Sequence, residues 1–202
     1  MADLDDLVRV AIVSAPGSEA ITTAEARAHC DIPSADTSHD TYLDSLITAA
    51  RQKWERDTDT VVMSSTAVEK LDEWPEDEPF VTLSKRPVQS VSSIYYLDTN
   101  GNSTLWSSAN YSLDLYRPQP AIALAYNVLW PSVLDWDGAI TITYTAGHAN
   151  AAAVPKAWKQ AMLLLISHWF EHRSAVNFGG SVDDVPQAYA ALVAGWQRCT
   201  YP

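Results

Sequence analysis

The stretch Ile140 to Arg173, ITITYTAGHANAAAVPKAWKQAMLLLISHWFEHR, constrains this chain most, because strand, turn and helix signals follow one another without a gap. Ile140 to Tyr144 alternates apolar and hydroxyl residues with period two, the pattern of a strand with one buried face. Gly147 permits a turn that a side chain would strain. Pro155 suits the first turn of a helix, where its preset φ helps and its missing N–H has no intrahelical partner to lose. From Pro155 to about Arg173, apolar residues cover nearly every side, which predicts a buried helix at the centre of a core.

Within that helix His168, Glu171 and His172 spell H-x-x-E-H, the spacing by which inverted zinc peptidases set two imidazoles on one helix face. Such a zinc needs a third ligand, normally a carboxylate on a later helix, and only Asp183 and Asp184 follow. Those two precede a predicted helix start, where Asp ordinarily caps. The competing reading places both histidines along the stripe of Trp158, Ala161 and Leu165, their rings partly buried and bonded to polar neighbours. The expectation is no metal, no cofactor and no catalytic residue, with a zinc-dependent hydrolase as the alternative to test.

A partner for the buried helix lies earlier in the chain. Tyr42, Leu43, Leu46, Ile47, Ala50 and Trp54 recur at helical spacing while Asp44, Thr48, Arg51, Gln52 and Glu55 fill the other face, predicting a helix over 40–57. A shorter helix is expected from Ile21 to Cys30, where Thr22 and Glu25 make a capping box and Pro33 closes the segment. A last helix follows Asp184-Val185-Pro186, with Tyr189, Leu192, Val193 and Trp196 as its stripe.

Between these helical ends the pattern changes to short runs rich in Val, Ile, Thr and Tyr, broken by Pro, Gly and Asn. The runs are Val61–Leu71, Phe80–Leu83, Val91–Leu97, Tyr111–Leu115, Ala121–Tyr126 and Ala139–Tyr144. Asn100-Gly101, between Ile94–Leu97 and Thr104–Trp106, is a hairpin signal. The fold class is therefore α+β: a helical bundle formed by both chain ends, 1–60 and 150–202, with a small antiparallel β domain, 61–149, inserted between them. No repeat of solenoid length is visible.

At 202 residues with 47% apolar side chains, the chain can bury a true core. Cys30 and Cys199 are too few for a disulfide framework and read as reduced thiols. MADLDDLVRV lacks a basic start followed by an apolar core, so no signal peptide is read. The longest apolar run, Met162 to Ile166, is too short to cross a bilayer, so a soluble protein is expected. Residues 1–78 hold 18 of the 25 acidic and 6 of the 13 basic side chains, which accounts for the whole net charge of −12. A surface of that sign repels nucleic acid, whose binding requires Lys and Arg.

Phosphate-binding glycine loops and the G-x-S-x-G elbow are absent. The cluster Asp72, Glu73, Glu76, Asp77 and Glu78 lacks the alternating spacing of a calcium loop and reads as a solvated acidic loop. Trp106, Tyr111, Trp130 and Trp136 lack the interleaved bases of a single-strand stacking surface, so core packing and protein interfaces are the preferred readings. A carbohydrate-binding module built on the β insertion is the other class left open.

Taken together, these segments resemble the head-tail connector, or adaptor, proteins of long-tailed phages and related gene-transfer particles, in the variety with a β insertion in a helical fold. The likeness is carried by Ile21-Thr22 to His29, the Tyr42–Glu55 helix with Ala49-Ala50-Arg51, Arg86-Pro87-Val88-Gln89-Ser90-Val91 and Tyr144-Thr145-Ala146-Gly147. Above all it is carried by the Val154-Pro155 helix ending in His168-Trp169-Phe170-Glu171-His172-Arg173. In such proteins that helix end reads His, Trp, aromatic, Glu, a polar residue and Arg, so His172 fills a variable position.

The resemblance implies a virion neck protein, assembled in the host cytoplasm, that forms a ring of typically twelve copies beneath the portal protein. The ring joins a downstream stopper or tail component, and DNA passes through its lumen without specific binding; no membrane partner is implied. Other neck components, stoppers and tail terminators, are mainly β, which the helices here oppose. Trp196, Arg198, Tyr201 and Pro202 are candidates for portal docking, against the plainer reading that Trp196 caps the bundle and the end frays. Tyr42, Leu46, Trp54, Trp158, His168, Trp169 and His172 are candidates for ring interface or bundle packing.

Overall fold

The computed structural model describes residues 8–172 and 187–196. The chain forms two compact units, Met1–Gly17 with Ser64–Gly147 and Ser18–Met63 with His148–Pro202.

The first unit is built of antiparallel strands. A five-stranded sheet has the order β1 (Val8–Ile12), β2 (Ser65–Leu71), β8 (Ile140–Ala146), β4 (Val88–Leu97), β5 (Ser103–Leu105). A three-stranded sheet has the order β3 (Phe80–Thr82), β7 (Ala121–Leu124), β6 (Tyr111–Asp114). Period-two patterning holds at the centre: along β8 buried Ile140, Ile142, Tyr144 and Ala146 alternate with half-buried threonines. On β2 the same alternation buries Glu69, whose carboxylate accepts from Tyr144 Oη at 2.8 Å and Ser84 Oγ at 2.9 Å. Those bonds offset the cost of removing a polar group from water.

Two strand expectations change. The run from Val61 divides: Val61, Val62 and Met63 are buried, and Val62 and Met63 belong to the core of the helical unit, so the strand starts at Ser65. Conversely Val8–Ile12, expected within a helical part, is a strand paired from Val8↔Leu71 to Ile12↔Ala67. The predicted hairpin closes over the five residues 98–102, with Leu97 opposite Ser103. Asp98 Oδ1 accepts from the Asn100 and Asn102 amides there, and Gly101 takes φ +83°.

The helical unit contains α1 (Thr23–His29), α2 (Asp40–Thr58), α3 (Lys156–Glu171) and α4 (Gln187–Ala194). Thr22 and Glu25 close the expected capping box at α1. The long helix runs one residue beyond its predicted end, stopping where Asp59 turns left-handed at φ +53°. Pro155 sits just before α3 with extended ψ rather than inside its first turn. The core gathers Leu43, Ile47, Ala50 and Trp54 of α2 with Trp158, Ala161, Met162, Leu165 and Ile166 of α3 and Tyr189 and Val193 of α4. The third helix is not buried all round: Leu163 and Leu164 are half-buried and Lys156 and Gln160 exposed, leaving one buried stripe. No helix among the described residues is long and apolar enough to cross a membrane.

Candidate functional site: surfaces for assembly

The end of α3 places the histidine motif. Phe170 packs on the start of α2, with its ring 5.4 Å from His39 in an edge-on contact and 6.1 Å from Tyr42. Tyr42 Oη donates to the Trp169 carbonyl at 3.3 Å, tying the two helix ends together. His168 is half-buried and His172 exposed, with ring centroids 4.9 Å apart. The His168 carbonyl accepts from the His172 backbone N–H at 3.0 Å and lies 3.1 Å from its Nδ1, so His172 closes the helix. Among the described residues no group of three or more His, Cys, Asp or Glu side chains is placed to hold a metal ion. Asp183 and Asp184 lie outside the described residues. Nearby, Cys30 is half-buried, and burial, then the charges of Glu171 and Asp31, push its thiol pKa up, away from thiolate reactivity.

The helical core settles where several candidates sit. Leu46, Trp54 and Trp158 are 8%, 0% and 3% exposed and pack within the bundle. Trp54 lies 5.4 Å from Trp158 and 6.3 Å from Tyr189, centroid to centroid. Trp196 meets Trp158 edge-on at 5.3 Å yet stays 40% exposed, so it packs on one side and offers its other side to solvent. Arg198, Tyr201 and Pro202 lie outside the described residues.

Arg51 on α2 is a buried cation the helical pattern assigned to the polar face. Its Nε donates to Glu19 at 2.8 Å and its Nη1 to Glu55 at 2.8 Å, while Glu55 also accepts from the Val62 amide at 2.9 Å. Burial works against its charge, but the bonds and charges of Glu19 and Glu55 outweigh it and raise the guanidinium pKa. Bonds of this kind hold the segment before α1 and the chain leaving α2 against α2.

In the β unit, an aromatic stack holds the acidic loop. Trp74 lies parallel to Trp130 with centroids 4.5 Å apart and 5.4 Å from Trp106, which stacks on Tyr111 at 5.3 Å. The Trp130 indole donates to the Glu78 carbonyl at 3.1 Å. Trp74 and Trp106 are therefore packing residues, whereas Trp136 is 63% exposed beside a cleft of about 670 Å³ lined by Asp72, Glu73, Asp135 and Asp137 among others. Further apolar side chains stand in solvent: Tyr116, Tyr126 and Leu129 in loops, Val13 beyond β1 and Leu105 on β5. Sequence reading missed these, because an aromatic in a loop and one in a core look alike until the partners are placed.

No family model and no curated protein sequence matches the chain. Among solved structures, it is similar to a chain in the neck of an empty gene transfer agent particle computed with C6 symmetry. There the TM-score is 0.78 and the identity 25%, over 96% of this chain and 97% of that one. A chain in the virion of a native gene transfer agent particle matches with TM-score 0.76 and 25% identity over the same shares. A third, in the neck of a native gene transfer agent particle computed with C12 symmetry, has TM-score 0.71 and 24% identity and bears on the fold alone.

Proposed function

We propose that this chain is a structural head-tail connector, an adaptor that forms a ring in the neck of a tailed phage or phage-like particle and performs no catalysis. The observation that carries the reading is a correspondence over 96% of the chain, at 25% identity, with a chain from a particle neck. Both the bundle and the β insertion take part in a match of that coverage. The sixfold symmetry of that neck supports a closed ring, and twelve copies is the number the adaptor resemblance implies. A closed ring is heterologous, with one face of each copy fitted to a different face of the next.

In this reading the ring lies beneath the portal, meets a stopper or tail component on its far side and lets DNA pass. Trp196, half in solvent, and the segment after it are the portal contact, and the acidic side chains of residues 1–78 keep the passage from gripping DNA. Electron microscopy of particles from a strain producing the full chain tests the reading. The expected result is a ring of this protein between portal and tail; a position elsewhere in the virion, or none, overturns it. Deleting residues 197–202 should abolish attachment to portal-bearing heads, and normal attachment would remove the docking role.

A further inference from the structure

The five-stranded sheet ends in two open edges among the described residues, β1 on one side and β5 on the other. Val13 N donates to Thr66 O at 2.9 Å, so by antiparallel alternation Val8, Val10 and Ile12 turn their N–H and C=O groups away from β2. At the other edge Trp106 N donates to Ile94 O at 2.8 Å, which leaves Ser103 and Leu105 facing outward in the same way. Open edges are templates for another strand, and proteins that stay apart blunt them with Pro, Lys, a bulge or inward charge. None of these protects β1 or β5, whose one charged side chain, Arg9, is bonded to Asp72. Both edges carry apolar surface instead: Val13 is 59% and Leu105 57% exposed. The chain has 25 acidic residues, yet neither edge strand contains one, so two copies meet there without carboxylate repulsion.

We infer that copies of this chain join edge to edge, β5 of one beside β1 of the next, continuing the sheet across each boundary. The inference rests on the ring reading and names its contact. Two different edges on one protomer supply the pair of unlike faces that a heterologous contact requires, and main-chain bonding supplies the affinity. Leu105 pairs with Tyr95, Tyr95 with Thr141, Thr141 with Lys70 and Lys70 with Arg9, so Leu105 and Arg9 lie on one face of the sheet. Val13, four residues after Arg9, shares that face, which brings it to the same side of the joint as Leu105.

The test uses the full chain with Cys30→Ser and Cys199→Ser. Carrying Val13→Cys and Leu105→Cys together, rings treated with a short bis-maleimide should yield a ladder of covalent oligomers beyond the dimer, and either cysteine alone should yield none. Val10→Pro removes an outward donor and leaves the β1–β2 bonds in place, so it should keep the circular dichroism and melting of the parent and lose the ring. If that variant unfolds, the ladder alone decides. Wild-type rings with no ladder overturn the edge contact but leave the ring reading standing. A wild-type chain that forms no ring overturns both.

Discussion

At Tyr189 a ring that is 2% exposed keeps its hydroxyl 2.8 Å from the Asp57 carboxylate, which Lys53 also approaches at 2.6 Å. Tyr189→Phe removes the donor and should lower stability by about 1.5 kcal/mol in urea denaturation at neutral pH. Burial, then the bond to Asp57 and its charge, raise the phenol pKa far above its ordinary value. A raised pKa stabilises the fold while pH is below the unfolded value of about 10, and that contribution is lost as pH climbs beyond it. The stability gap between parent and Tyr189→Phe should therefore narrow above pH 10; a constant gap would contradict the coupling. The stripe holding Tyr189 was legible from its spacing, but Asp57 was not, because it lies 132 residues away on the solvent side of α2's pattern. Arg51 was hidden for the same reason, since Glu19 arrives from a segment with no periodic signal.

Single elements were most legible where a local rule sets them. Thr22 and Glu25 form the capping box their spacing announces, with the Thr22 amide bonded to Glu25 Oε2 at 2.7 Å. Thr22→Ala should cost about 1 kcal/mol, read as a lower melting temperature. Chiefly through that amide bond, the Glu25 pKa is depressed below 4.5. Its stabilisation is present above that value and fades as pH falls through the folded pKa, so Glu25→Gln should flatten the acid limb of the stability curve. Gly101, at φ +83° with nothing within 4 Å of an added Cβ, should tolerate alanine for space but lose about 1 kcal/mol to backbone strain. The H-x-x-E-H helix end shows the reach of a motif, because spacing brings two imidazoles together but says nothing of a third ligand. Zinc analysis of the purified full chain should find no stoichiometric metal, and His168→Ala should leave the metal content unchanged. Stoichiometric zinc that is lost on that change would favour the hydrolase reading. The strand Val8–Ile12 was overlooked although its alternation was visible, because an edge strand at a chain's start gains meaning only from the distant strand it pairs with.

For the whole molecule, the sequence places the charge in the first third, but folding divides that third between the two units. Of the 15 acidic residues in this segment that the structure describes, Glu69, Asp72, Glu73, Glu76, Asp77 and Glu78 go to the β unit and the other nine to the helical unit. One acidic surface cannot be assumed from one acidic segment. The units also differ in how the charge is held: in the helical unit Arg51 pairs with Glu19 and Glu55 and Lys53 with Asp57, whereas Glu73, Glu76 and Asp77 sit on a loop pinned by Trp74 and Trp130 and form no salt bridge among the described residues. Paired carboxylates contribute little field beyond a Debye length of about 10 Å, so the loop is the stronger source of repulsion toward a phosphate backbone. In the adaptor reading, Glu73→Lys, Glu76→Lys and Asp77→Lys together should slow genome release more than reversing the ion-paired Glu19, Glu25 and Asp40 of the helical unit. The delay should shrink as salt is raised, because bound phosphates are released as counterions return. Ejection timed by fluorescent-dye uptake in released DNA, at two ionic strengths, reads both effects. Equal kinetics for the two triple variants and the parent would remove the acidic side chains from any part in passing DNA, while leaving the ring and its edges untouched.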